Sequence, residues 1–379
     1  MYDLIVIGAG AVGSATAYHA AKAGNRVLLL EQYAIDHQRG SSYGYSRIIR
    51  YAYDHPVYVE LMKAAFPAWR ALEAAAGETL YLRTGGVDFS PPGEPLFTKM
   101  LDCLAQGNIP HEVLSAADGR SRFPQFRFDD DMLVLYQADA GVLRASRAVQ
   151  AHVRLAKQHG ADVRDNTPVL GIQPVADGVE VRTAHETFAA AKVVVASGAW
   201  MRALLRPLGL DLPLQPLAAQ ENYLTALAPA QFTHERFPVW IGHVQDRYGS
   251  ILYGLPSVDG SGVKIGLHTG PPIDPESPDR TPDTRLADSM LNFARRYMPE
   301  AAGSVASSRV CLYTLTPDEH FIIDHHPEYP QVIIASCCSG HGFKFGTLLG
   351  SILSDLAFTG GTPHDISLFR LGRFEGVAT

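Results

Sequence analysis

The spacing of apolar and polar residues changes repeatedly along the chain, and each change marks an element. Residues 4–7, Leu-Ile-Val-Ile, form an unbroken apolar run too short for a typical helix, which predicts a strand buried on both faces of a parallel sheet. A helix of small residues follows, with Ala15, Ala17, Ala20, Ala21 and Ala23, and Gly24 closes it as a C-cap. Residues 27–30 predict a second buried strand that ends at Glu31. Helical spacing returns at about 57–76, 96–106, 144–159 and 286–297. Strand patterns occupy GGVDF, DVRDNTPVLGI, GVEVRTA, 192–196, 251–255, 263–269, 321–324 and 332–336. In 263–269 the period of two puts Val263, Ile265 and Leu267 on one face and Lys264, Gly266 and His268 on the other. Cys311 and Tyr313 share a side in the same way, and a second glycine turn at 339–346 opens a last helix.

These elements predict an α/β fold with a Rossmann-like dinucleotide-binding domain and a second, mixed-sheet α+β substrate domain inserted discontinuously. With 379 residues the chain exceeds what one hydrophobic core usually organises. The expected division gives 1–80, 144–216 and 308–379 to the dinucleotide domain, and 81–143 and 217–307 to the substrate domain.

Gly8, Gly10 and Gly13 make GxGxxG between the first strand and its helix. The first glycine allows a tight turn, the second lets a diphosphate approach the backbone, and the third lets helix and strand pack closely. The helix N-terminus supplies unpaired N–H groups and partial positive charge, while Glu31 stands where an acid binds ribose hydroxyls. NAD and FAD both remain open at this point. Ser197 and Gly198, at the end of another buried strand, give a backbone that a ligand can approach.

Other candidates are less specific. Ser41 and Ser42 suit capping or phosphate binding, and Arg47 and Arg50 would share a face on a helical turn. An isolated arginine pair reads first as a solvated face, but this one sits among Tyr43, Tyr45, Ile48, Ile49, Tyr51 and Tyr53. Lys264 and His268 flank a glycine gap, either on a solvent-facing edge or around a place for an anionic or oxygen-derived species. Lys344 follows the second glycine turn between Phe343 and Phe345. Each of the four cysteines reads as a small core hydrophobe, and their spacing matches neither a disulfide framework nor a metal signature. His320, His325 and His326 lie near Asp318 and Asp324 without metal-ligand spacing, so no metal is expected. A formal charge of -7 without a basic cluster argues against nucleic acid as a partner. No apolar run approaches the roughly 20 residues of a membrane span, and the N-terminus enters a core strand directly, so a cytoplasmic protein is expected.

RIIRYAY, VKIGLHTG, CLYTLTPDEHFIID and SGHGFKFG, in that order behind GxGxxG and its acid, resemble the monomeric sarcosine oxidase and N-methyltryptophan oxidase family of amine-oxidising flavoproteins. The resemblance covers nearly the whole chain. It implies a monomeric two-domain enzyme with FAD attached covalently through Cys311, oxidising secondary amino acids and reducing O2 to H2O2. It implies that Lys264 promotes the reaction with oxygen, that Arg47 lies close to the flavin, and that Arg50 and Lys344 hold the substrate carboxylate. His268, Tyr253, Tyr313 and Tyr43 would line the substrate cavity, with His268 and Tyr313 joining Lys264 and Arg47 in the catalytic set. The implied FAD contacts are Gly8, Gly10, Val12, Gly13, Glu31, Ser41, Ser42, Arg47, Val169, Ser197, Gly198, Trp200, Cys311, Gly340, Gly342, Phe343 and Lys344.

The chain departs from the family pattern before the arginines, with GSSYGYSR where GSHHGDTR is common. Ser42 and Tyr43 replace two histidines, and Tyr45 replaces the acid. Segment 237–254 is longer than its counterpart in sarcosine oxidase, and its Trp240 and His243 are expected to reshape the cavity. The substrate therefore stays open between sarcosine, N-methyltryptophan and a cyclic imino acid such as pipecolate or proline. The alternatives are a flavin dehydrogenase of the same fold acting on a cyclic imino acid, a nicotinamide-dependent dehydrogenase, and a non-catalytic dinucleotide sensor.

Overall fold

The computed structural model describes residues 1–244, 249 and 251–374. Among them are two eight-stranded sheets and one of three strands. In the first sheet Tyr2–Ile7 lies between Val27–Leu30 and Thr187–Val195, parallel to both. Leu4, Ile5 and Val6 are fully buried, as the unbroken apolar run requires of a strand covered on both faces. On its far side Thr187–Val195 pairs antiparallel with Gly178–Thr183 and, near its end, parallel with Val332–Ser336.

The glycines act where the backbone crowds. Gly8 has φ +98°, and a Cβ there would stand 2.6 Å from the Ala196 carbonyl oxygen. A Cβ on Gly13 would stand 1.8 Å from the Gly8 carbonyl oxygen, so the helix Ala11–Lys22 can start against the strand only through glycine. The same helix packs on the C-terminal helix Gly346–Phe358, where a Cβ on Gly350 would lie 2.5 Å from that of Ala15. This close crossing sets the N-termini of the two helices side by side.

The second sheet runs in the order Ser304–Leu315, Gln215–Thr225, Val263–Leu267, Leu252–Leu255, Val239–Gly242, Gly86–Ser90, Leu133–Gln137, Glu112–Ser115. Val263–Leu267 is therefore an interior strand, and the solvent-facing edge offered by its periodicity does not occur. Its apolar face, Val263, Ile265 and Leu267, joins an aromatic-rich core with Trp240, Phe237 and Phe293. The register aligns Asp88, Ile241, Tyr253, Gly266, Glu221 and Arg309 in one row across six strands. Paired positions in a sheet project from the same face, so this row marks the side turned toward the first sheet. Ser304–Leu315 pairs with Gln215–Thr225 along its whole length, so the strand that carries Cys311 belongs to the second sheet and crosses the expected boundary at 307 and 308. Arg47 starts the short strand Arg47–Ile49 of the three-stranded sheet and is not on a helical turn, so the face that such a turn would have given Arg47 and Arg50 does not form.

Candidate active site

A cavity of about 610 Å³ lies between the first glycine turn, the second glycine turn and the inner face of the second sheet, within the range of small-molecule and cofactor sites. At one end Glu31 closes Val27–Leu30. Its carboxylate accepts from the N–H groups of Ala9 at 2.8 Å and Tyr33 at 3.1 Å, which fixes an acid beside the turn. Ser42 Oγ accepts from the Ala11 N–H at 3.0 Å at the start of the helix. Two buried polar atoms on the cavity wall here, Ser197 Oγ and Trp200 Nε1, have no hydrogen-bond partner among the described residues. Buried groups of this kind normally find partners. A polar ligand lying across Glu31, Ser197 and Trp200 would supply them, and the adenosine half of a dinucleotide fits that demand.

Further along, Cys311 is buried on the wall, with Arg47 Nη2 at 3.9 Å from its sulfur. Arg47 is held by three carbonyls, donating to those of Ser41, Tyr43 and Ser46 at 2.8–2.9 Å. Ser41 Oγ donates to the Leu312 carbonyl and Tyr43 Oη to that of Val310, so the serine-rich segment is tied to the Cys311 strand. Lys264 is almost wholly buried and forms an ion pair with Glu221, which also accepts from Tyr223 Oη at 3.0 Å. Burial pulls the Lys264 ammonium below its ordinary pKa, while Glu221 opposes that pull. Burial pushes the Cys311 thiol up and Glu221 adds to it, whereas Arg47 and Lys264 draw it down.

The third region gathers around Tyr53. Arg50 and Lys344 both face its ring, at 5.6 and 5.1 Å from the centroid, and Lys344 Nζ donates to Tyr53 Oη at 2.7 Å and to the His341 carbonyl at 2.8 Å. Burial and then Arg50 push the Lys344 pKa well below the usual lysine value. His268, half-buried and next to both cations, is pushed down to about 4 by desolvation and then by Lys344 and Arg50, and is neutral across the physiological range. Arg50 Nη1 donates to Asp88 Oδ1 at 2.9 Å, and the same oxygen lies 3.0 Å from His243 Nε2. Gly266 leaves room for Tyr253, whose ring would lie 2.5 Å from a Cβ at that position, so the glycine gap between Lys264 and His268 is filled by this tyrosine. Gly340 likewise makes space for Tyr313 and His268.

The sequence-derived residues converge on this one cavity. Lys264, Arg47, His268, Tyr313, Arg50, Lys344, Tyr253 and Tyr43 all line it. So do Gly8, Gly10, Val12, Glu31, Ser41, Ser42, Val169, Ser197, Gly198, Trp200, Cys311, Gly340, Gly342 and Phe343. Gly13 does not, since its place is against the Gly8 carbonyl behind the wall. Trp240 is also away from the cavity, packed at 5.8 Å on Phe293 in the second core, because its strand turns Ile241 inward instead. His243 lines the cavity, whereas 245–248 and 250, in the segment expected to be longer, lie outside the described residues. Glu221, Asp88 and Tyr53 were missed. Asp88 was visible only as a single acid inside the strand pattern GGVDF, with nothing to say which face it took, and Glu221 lay in a stretch for which no element was expected. Among the described residues no group of three or more His, Cys, Asp or Glu side chains is placed to hold a metal ion, and no helix is long and apolar enough to cross a membrane.

The chain is similar to known proteins along nearly its whole length. The chain is 36% identical over 377 residues to a monomeric sarcosine oxidase of Arthrobacter sp. (strain TE1826), covering 98% of this chain and 96% of that one. It is 33% identical to the N-methyl-L-tryptophan oxidase of Citrobacter koseri, covering 98% and 99% respectively. The solved open form of NikD, described as an unusual amino acid oxidase essential for nikkomycin biosynthesis, superposes with a TM-score of 0.85 at 28% identity, covering 97% of each chain. Residues 3–356 match the family described as FAD dependent oxidoreductase, and the chain belongs to that family.

Proposed function

We propose that this protein is an FAD-dependent oxidase of secondary amino acids, N-methyl amino acids first among them, forming an imine at the C–N bond and reducing O2 to H2O2. The observation that carries the reading is the pair of cations, Arg50 and Lys344, held against one tyrosine ring in the cavity that also holds Cys311. Two like charges brought together away from water call for an anion, and an amino acid carboxylate supplies one. Bound FAD would take two electrons from the substrate carbon and return them to oxygen. Arg50 and Lys344 orient the substrate, turning an encounter into a reactive geometry. Neutral His268 adds no charge that would repel the amine, and Lys264 supplies a fixed cation for reduced oxygen. Oxidation requires the neutral amine, so the rate rises with pH.

We assign Cys311 as the point of covalent flavin attachment, on its place in the wall beside Arg47. The two large sheets are taken as the cores of a FAD-binding and a substrate domain, and the enzyme as a cytoplasmic monomer. The deciding experiment is anaerobic mixing with a panel of secondary amino acids while flavin absorbance is followed, then admission of oxygen with peroxide measured at the turnover rate. Absence of bleaching by every member would overturn the proposal, and bleaching without peroxide would replace the oxidase by a dehydrogenase.

A further inference from the structure

The residue that stands out beyond this reading is Asp88. It is 3% exposed, it projects from the inner face of the second sheet, and one of its oxygens serves both Arg50 Nη1 and His243 Nε2. A carboxylate clamp made of two cations does not need an acid of its own. Here one acid sits directly behind one of the clamping groups, where solvent cannot screen it. The cations that meet at Tyr53 are Arg50 and Lys344, the histidines beside them are neutral, and Asp88 contributes one negative charge. Asp88 therefore offsets part of the positive charge that a carboxylate would meet beside Arg50.

We propose that Asp88 is a specificity-determining residue that matches the site to secondary amino acids with one carboxylate and an uncharged side chain, and disfavours those with a second acidic group. The inference rests on the reading of Arg50 and Lys344 as the carboxylate site. Asp88 acts through Arg50 in two ways. It fixes the guanidinium, leaving the remaining N–H donors for the ligand, and it repels any second anion entering next to the first. His243, donating to the same oxygen, moderates that negative charge.

The two effects separate by substitution. Asp88→Asn keeps an acceptor for Arg50 and removes the charge. Coulomb's law at the effective dielectric of a protein interior makes that removal worth about tenfold in affinity for a carboxylate next to Arg50. His243→Asn instead strips a donor from Asp88 while leaving its charge, and shifts affinity the other way. The probe is acetate, titrated into the flavin-loaded enzyme by calorimetry and by the flavin spectrum, with thermal unfolding confirming that each variant is folded. The expected result is acetate binding about tenfold tighter in Asp88→Asn and weaker in His243→Asn. In parallel, kcat/KM for N-methylaspartate relative to N-methylalanine rises about tenfold in Asp88→Asn.

Unchanged acetate affinity in a folded Asp88→Asn, a shift of both variants in one direction, or no acetate binding to any form would overturn the inference. If no secondary amino acid bleaches the flavin but acetate affinities move as stated, the oxidase reading fails and the role of Asp88 stands. If the amino acids are oxidised and the affinities do not move, the reverse holds.

Discussion

Replacing Glu221 by glutamine removes the carboxylate with which Lys264 is paired and leaves an ammonium that is 1% exposed. What remains around Lys264 Nζ is the Ser46 carbonyl at 3.3 Å, with the Tyr253 ring 6.0 Å away, and Arg47 opposes its charge. Two unit charges 4 Å apart interact by about 4 kcal/mol at an effective dielectric of 20, and deleting one member of a buried pair typically costs about 3–5 kcal/mol. The lysine has an escape, because it can fold without its proton. With an unfolded pKa of about 10.4 and about 1.36 kcal/mol per unit, deprotonation at pH 7 caps the penalty at about 4.6 kcal/mol. In that state the folded variant binds fewer protons than the unfolded chain, so its stability rises with pH by about 1.4 kcal/mol per unit until pH 10. Urea unfolding of Glu221→Gln against the parent should therefore show a deficit of about 4 kcal/mol at pH 7 that shrinks to about 1 kcal/mol near pH 10. Lys264→Met introduced on top should recover most of the pH 7 loss. A deficit independent of pH, or a double variant less stable than the single one, would refute the reasoning.

Other consequences are equally direct. Cys311→Ala should yield a protein that loses its yellow colour into the supernatant on acid precipitation, while the parent precipitate stays yellow. Lys264→Met should slow reoxidation of reduced enzyme by oxygen at least a hundredfold and leave anaerobic reduction within about threefold, as expected when one fixed charge is removed from a developing anion; stopped-flow traces of the two half-reactions separate the effects. Gly266→Ala should displace the Tyr253 ring, 2.5 Å from the new Cβ, and raise KM for the amino acid substrate in a protein that still melts cooperatively. His152, buried between Tyr18 and Trp69, is pushed down to about 3 by burial and then by His19. Its neutral form contributes stability that is complete above pH 6.5 and is lost as pH falls toward 3, so His152→Phe should flatten the acid limb by about 2–3 kcal/mol between pH 6.5 and 4.5, read from melting temperatures.

The parts legible in the sequence were those written locally. The strand, turn, helix, strand and acid of residues 2–31 announce themselves because they follow one another in a single unit, where Gly13 answers a crowding contact with Gly8, although Gly8 itself meets Ala196 from far along the chain. The alternation of Lys264 with Val263 and Ile265 was equally clear, yet a period of two says only that faces differ. Which face meets a cavity depends on the neighbouring strands, and Gln215–Thr225 and Leu252–Leu255 are not visible from within the segment. The same lack of register hid Asp88 and Glu221 and made Trp240 look like a cavity residue. Arg47 and Arg50 would share a face on a helical turn, whereas pairing with Gly141–Leu143, far away in the chain, extends the backbone there. Residue patterns alone made Cys311 a core filler. Its burial agrees with that, and its place beside Arg47 on the cavity wall comes from tertiary structure.

The strand order of the first sheet also bears on how the protein is made. Tyr2–Ile7 leaves the ribosome well before one of its two neighbours, Thr187–Val195, which starts 185 residues later, and the helix that covers Ala11–Lys22 comes only with Gly346–Phe358. At about 5–20 residues per second, an almost fully apolar strand is without its final cover for tens of seconds during synthesis. Nascent chains should therefore engage holdase chaperones through their N-terminal region, and the flavin should be acquired only after release. A stop codon anywhere before the last helix would leave the nucleotide site without its roof, and the product would be cleared rather than accumulate as a partly active enzyme.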